Sequence, residues 1–91
     1  MDRRIAMIAI IVEDRGSVAK LNDILHRHGE YIIGRMGIPY DKRKISLISI
    51  AIDAPADIIN ALSGQLGMLP GVTAKTLYAK TGRNDAEEPG R

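Results

Sequence analysis

Ninety-one residues, 45% of them hydrophobic, make one small domain with a thin core, because a chain this size hides only about 60–65% of its unfolded surface. Thirteen basic and eleven acidic residues leave a net charge of +2, too close to balance to argue for a polyanionic partner. The lack of cysteine excludes disulfides, thiolate zinc sites, iron–sulfur clusters and cysteine nucleophiles.

Residues 5–12, IAMIAIIV, form a continuous apolar run between Arg3-Arg4 and Glu13-Asp14. It is too short to span a bilayer, which takes about 20 apolar residues as a helix. It also lacks a small-residue cleavage site, so neither a membrane anchor nor a signal peptide is expected, and the expected compartment is the cytoplasm. Its length and β-branching predict a strand buried on both faces. A charged turn, Glu13-Asp14-Arg15-Gly16-Ser17, follows. From Ser17 the apolar positions Val18, Leu21, Ile24, Leu25 and His28 have helical spacing, and Gly29 is a natural stop.

Residues 30–40, EYIIGRMGIPY, are β-branched but interrupted by Gly34, Gly37 and Pro39, which predicts an edge strand with a bulge or bend. DKRK, 41–44, is a charged turn, and ISLISIAI, 45–52, is a second strongly apolar strand. Pro55 opens a second helix with Asp57 in its first turn, where a carboxylate complements the helix dipole. Its buried stripe is Ile58, Ile59, Leu62 and Leu66, ending at Gly67 or at Pro70-Gly71. VTAKTLYA, 72–79, reads as the last strand. Residues 80–91 carry almost no apolar side chain and are expected to be a disordered tail, leaving 1–79 as the single domain.

The order β-α-β-β-α-β predicts an α+β, ferredoxin-like sandwich: a four-stranded antiparallel sheet with two helices on one face. Its central strands are the first and third, the two most apolar here. The other face of such a sheet meets water in a monomer and should be polar. Here Ile5, Met7, Ala9 and Ile11 are as apolar as Ala6, Ile8, Ile10 and Val12. A homo-oligomer is therefore expected, most simply a two-fold dimer, through sheet packing or strand-edge pairing.

The stretch EDRGSVAKLNDILHRHG after a buried strand resembles the start of ACT domains, small regulatory ferredoxin-like modules. Those show Asp-Arg-Pro-Gly before the first helix; Asp14, Arg15 and Gly16 are kept here without the proline. The segments IIVEDR, ILHRHGEYIIGRMGIPY and ALSGQLGMLPGVTAKT resemble more closely the family of putative iron-only hydrogenase system regulators. Arg35-x-Gly37-x-Pro39 together with Ala61-Leu62-Ser63-Gly64-x-Leu66-Gly67 carries most of that likeness. The resemblance implies an ACT-like fold and a regulatory role, and brings no catalytic residues.

In ACT domains the loop before the first helix binds a small ligand, such as an amino acid, with a neighbouring subunit's second strand. The resemblance thus marks Asp14, Arg15, Gly16, Ser17 and Val18, with Arg35, as a ligand site at a subunit interface. Free N–H groups at a helix start favour a carboxylate or phosphate. Gly16 allows close approach, Asp14 can meet an ammonium group, and Arg15 an acidic one. The commoner use of these residues is local: Asp14 or Ser17 caps the helix and Gly16 makes the turn.

Other chemistries find less support. His26 and His28, two apart on a helix, face opposite ways and cannot chelate one ion, so a metal there needs ligands across an interface. Gly34, Gly37, Gly64 and Gly67 fit no phosphate-loop spacing. The first two are expected to permit strand curvature or close subunit approach, the last two tight packing at a helix end. Ser63 has no base partner that would make it a nucleophile. RNA-recognition modules of this topology stack bases on aromatic residues of the central strands, and here those strands have none. A DNA-reading helix motif does not fit beside the core, and Arg3, Arg4, Lys42, Arg43 and Lys44 read as a solvated rim. The expected function is non-catalytic: a homo-oligomeric, ligand-sensing regulator without a cofactor, acting on transcription, if at all, through a partner. The alternatives are a protein-interaction module with no small ligand and a small ferredoxin-like enzyme of the acylphosphatase or cofactor-free oxygenase kind.

Overall fold

The computed structural model describes residues 2–80. The expected tail therefore lies outside the described residues except for Lys80. Strand β1 (Arg3–Val12) leads through a short 3-10 turn into helix α1 (Val18–Arg27). After a second 3-10 turn come β2 (Ile32–Tyr40), β3 (Ile45–Pro55), α2 (Ala56–Gly67) and β4 (Val72–Tyr78). All strand pairs are antiparallel, and the sheet order is β2-β3-β1-β4, with the two most apolar strands central. This is the ferredoxin-like arrangement that the sequence predicts.

Period two decides which side chains are buried. On β1 the even-numbered Ala6, Ile8, Ile10 and Val12 face the helices and are fully buried, with Ile50, Ile52 and Ala54 beside them on β3. Helix α1 adds Leu21, Ile24 and Leu25, and α2 adds Ile59, Leu62 and Leu66. Val18, His28 and Ile58, the remaining members of the two expected stripes, are half-buried. His28 donates from Nδ1 to the Ile24 carbonyl oxygen at 2.8 Å, which ties its ring along the helix while His26 stays exposed.

Three expectations need correction. Within one chain β1 is covered on one face alone: Ile5, Met7 and Ile11 are 47, 42 and 41% exposed, since both helices lie on one side of the sheet. Gly64 and Gly67 do not serve tight packing, because a methyl group on either would meet nothing within 4 Å. Arg3 and Arg4 are more than a solvated rim. Arg3 donates to the Asp53 carboxylate at 3.2 Å and to its carbonyl oxygen at 2.7 Å. The Arg4 guanidinium lies 4.3 Å from the centre of the Tyr78 ring, whose hydroxyl donates to Asn60 at 2.6 Å.

β2 is the edge strand with a bulge that its composition predicts. Ile32 pairs with Ile52, but Gly34 pairs with Ala51, so Ile33 is an extra residue on β2. One added residue turns every later side chain to the other face. Beyond the bulge Arg35, Gly37 and Pro39 share the helix side, while Met36, Ile38 and Tyr40 share the open side with Ser49, Leu47 and Ile45.

The turn after β1 is fastened to the loop before β4. Glu13 N–H donates to the Gly71 carbonyl at 2.7 Å, and the Ser17 hydroxyl donates to the Pro70 carbonyl at 2.6 Å. Gly71 has φ +69°, and a Cβ there would sit 2.6 Å from Asp14 Cβ and 2.8 Å from Asp14 N. Only glycine allows both the backbone conformation and the close approach. Gly71→Ala is expected to destabilise the fold by about 2–3 kcal/mol, from left-handed strain plus a clash with backbone. Leu62→Ala, which empties a fully buried site, should cost about 3 kcal/mol. Urea denaturation followed by circular dichroism measures both.

Candidate functional site

The residues singled out before α1 are largely occupied by one another. Asp14, extended at φ −114° and ψ 105°, accepts the Gly16 N–H on its carboxylate at 2.8 Å. Its carbonyl accepts the Ser17 N–H at 2.9 Å, and the Arg15 carbonyl accepts the Val18 N–H. The Gly16, Ser17 and Val18 amides, three of those that could cradle an anion, are thus engaged within the 3-10 turn. Ser17 is 3% exposed, makes no side-chain cap to α1, and spends its hydroxyl on Pro70 instead. Of the two capping alternatives neither caps α1 itself: Asp14 caps the 3-10 turn that precedes it. Gly16 makes the turn with little room to spare, since a Cβ would lie 3.1 Å from the Asp14 carboxylate.

The two arginines are the outward-facing members of the set. Arg15 donates to Asp41, on the β2–β3 turn, at 3.1 Å with both side chains largely in water. Such a pair contributes little to stability and costs little to open. Arg35 donates to the Asn22 side-chain oxygen at 3.2 Å, bridging β2 to α1. This bond spans a cleft between the helix and the edge strand. On one side lies a groove of about 630 Å³ lined by Asn22, Asp23, His26, Gly29, Ile32 and Arg35. On the other lies a smaller one of about 200 Å³, bounded by Val18, Leu21, Gly37 and Pro39 as well as Arg35 and Asn22.

The structure therefore brings Val18 and Arg35 to one groove, whereas Asp14 and Ser17 are tied toward the β4 side. Asn22 and Asp23 also belong to the cleft. Both sit on the exposed flank of α1, and nothing in the local pattern pairs Asn22 with a residue 13 positions away. His26 also lines the cleft, on its solvent side. Among the described residues there is no group of three or more His, Cys, Asp or Glu side chains that could hold a metal ion. Nor is any described helix long and apolar enough to cross a membrane.

The sheet's open face is the second surface with unusual chemistry. Of the ten exposed large hydrophobic residues among the described residues, eight lie on it by strand register, from Ile5 and Met7 on β1 to Met36 and Ile38 on β2 and Leu77 on β4.

Comparison with known proteins bears on what such a molecule is. Residues 4–76 match the TM1266-like family, described as "Iron-only hydrogenase system regulator, putative". Among solved structures, the uncharacterized protein TM1266 from Thermotoga maritima superposes with a TM-score of 0.82 at 35% identity, covering 87% of this chain and 100% of that one. CPII, a nitrogen regulatory PII-like protein from Thiomonas intermedia K12 whose structure holds ADP, AMP and bicarbonate, gives a TM-score of 0.46 at 16% identity. That match covers 87% of this chain and 99% of that one and is too distant to carry an argument. No curated protein matches the chain. The family match over most of the chain and the 35% identity to the Thermotoga protein show that the chain belongs to the TM1266-like family.

Proposed function

We propose that this protein is a non-catalytic regulator that works as a homo-oligomer in the cytoplasm and senses a small ligand, an amino acid or an anion. The ligand site is the wall formed by Asp14, Arg15, Gly16, Ser17 and Val18 together with Arg35. The observation that carries this reading is the cleft between α1 and β2, where Val18 and the Arg35 guanidinium share one groove. Among the described residues Arg35 makes one side-chain bond, to the neutral amide of Asn22, which leaves its other N–H donors to a carboxylate or phosphate. Arg15, held among the described residues by an exposed ion pair, can turn toward the same ligand. Asp14 and Ser17 then act by holding the turn in place and not by touching the ligand. Signalling of this kind needs no chemistry: a ligand that binds one arrangement of subunits better shifts the population toward it. Any effect on transcription passes through a protein partner.

A second reading, an interaction module with no small ligand, draws on the engaged amides of the turn, which offer an anion no ready cradle. Thermal melting separates the two. In a screen of amino acids and small anions, one class at about ten times its Kd should raise the melting temperature by about 5 °C or more. A flat response across the screen would leave the interaction module standing. Arg35→Ala is expected to abolish the ligand shift while changing stability by less than about 0.5 kcal/mol, as its side chain is exposed. Asp14→Ala should instead cost about 1 kcal/mol through loss of the cap, with Asp14→Asn close to the wild type, both read by urea denaturation.

A further inference from the structure

The phase of β2 is inverted for a strand that ends a sheet in water. Its bulge at Ile33 sends Met36 and Ile38, 65 and 58% exposed, to the open face and Arg35 toward the helices. Without that extra residue the apolar side chains would lie on the helix side and the arginine in solvent on the open side. An arrangement that moves hydrophobic groups out of reach of the molecule's own core makes sense where another apolar surface covers them.

We infer that the open face of the sheet is the contact between two copies of this chain, packed sheet against sheet about a two-fold axis. This rests on the homo-oligomer of the proposed function and assigns it a surface. Area is the first argument. Exposures of 38–72% on eight large apolar residues leave roughly 700–800 Å² of hydrophobic surface, beyond the ~300–600 Å² of the largest patch on typical monomers and near the ~800 Å² per partner of a stable interface.

Shape is the second argument. Met36 stands between two hollows of about 210 and 240 Å³. Ala9 and Ser49 floor the first, with Ile11, Ile38 and Leu47 around it; Gly34, Ser49 and Ala51 floor the second beside Met7. Small residues at the middle of a sheet, ringed by large ones, let a facing sheet approach to about 10 Å with side chains interdigitated. A two-fold axis sets the Met36 of each copy over a hollow of the other.

Charge is the third. The central row from Met36 through Ser49 to Ala9 carries none; Lys75, opposite Ala9 on the edge strand β4, ends that row, and Asp53 at the far end is already paired with Arg3. A neutral apolar centre with charges at its border is the make-up of homodimer interfaces. It also lacks any feature that would select a different partner over a second copy, which carries the same surface at the same concentration.

Sedimentation velocity on the full chain across a micromolar range tests the assignment. A dimer or a multiple of it is expected. Ala9→Arg and Met36→Glu each place two unpaired charges in the contact and should raise the dimer Kd by at least about a hundredfold, with unchanged far-ultraviolet circular dichroism. Met36 sits on the exposed edge strand, so Met36→Glu serves if Ala9→Arg does not fold. A wild-type chain that sediments as a monomer at ~100 μM overturns the inference, as does a dimer whose affinity survives Met36→Glu, which would put the contact on the strand edges. A monomer that still gains thermal stability with ligand overturns the interface alone. A dimer sensitive to Met36→Glu but silent to every ligand upholds the interface and removes the sensing.

Discussion

The pairing of β1 with β3 is the constraint on which the rest of the structure depends. The two strands run side by side from Arg3–Pro55 to Val12–Ser46, and they form the middle of the sheet. Both alternate between two apolar sets, so the pair has two hydrophobic faces. The described residues hold two α-helices, and right-handed crossovers place both on the same side. One face is therefore sealed by Leu21, Ile24, Leu25, Ile59, Leu62 and Leu66, and becomes the core. The second is left to whatever lies outside the molecule. A thin core is the other side of this division. Ile5, Met7, Ile11 and Leu47 keep 38–47% of their surface in water, and that part contributes nothing to the stability of a single chain.

The two crossovers are joined to each other at one end of the sheet, where the turn after β1 meets the loop before β4. Glu13, Asp14 and Ser17 on one side engage Pro70 and Gly71 on the other through two hydrogen bonds and a contact that excludes any side chain at position 71. This is where a short sequence does two jobs. Asp14 closes its own turn through Gly16, while its backbone forms the surface against which Gly71 packs. The rigidity of the turn has a consequence for ligand sensing. A site that uses it gains a wall already ordered, with little conformational entropy left to lose on binding.

Much of this was legible in the residues. Continuous β-branched runs marked the central strands, the 3.6-residue spacing of Leu21, Ile24 and Leu25 marked α1, and Gly34 with Pro39 marked an irregular edge. The sheet order followed from the β-α-β-β-α-β element order, with the two most apolar strands at the centre. What remained hidden was non-local. Ser17 reads as a helix cap because serine before an apolar stripe is a common cap, yet its partner is Pro70, 53 residues along the chain. The function of Gly71 as the residue that admits Asp14 is invisible for the same reason. The position of the bulge is a matter of phase: the sequence shows that β2 is interrupted, but whether Ile33 or Gly34 is the extra residue depends on the register against β3. That one-residue choice determines whether Arg35 faces α1 or the open sheet, and so where the candidate site lies.

The same choice puts the two proposed surfaces on opposite sides of one strand. Arg35 points into the cleft beside α1, and its chain neighbour Met36 points out between the two hollows of the open face. β2 is the element best placed to respond to both. It lies at an edge, bonds to a single neighbouring strand, and leaves every residue after Ile32 exposed, features that go with low local stability. A ligand that draws Arg35 toward α1 acts on a strand whose next residue is the knob of the contact between copies. Adjacency supplies the route, and differential affinity decides whether it is used. Ligand binding alters association only if the bound position of β2 fits the second copy better, or worse, than the free one does.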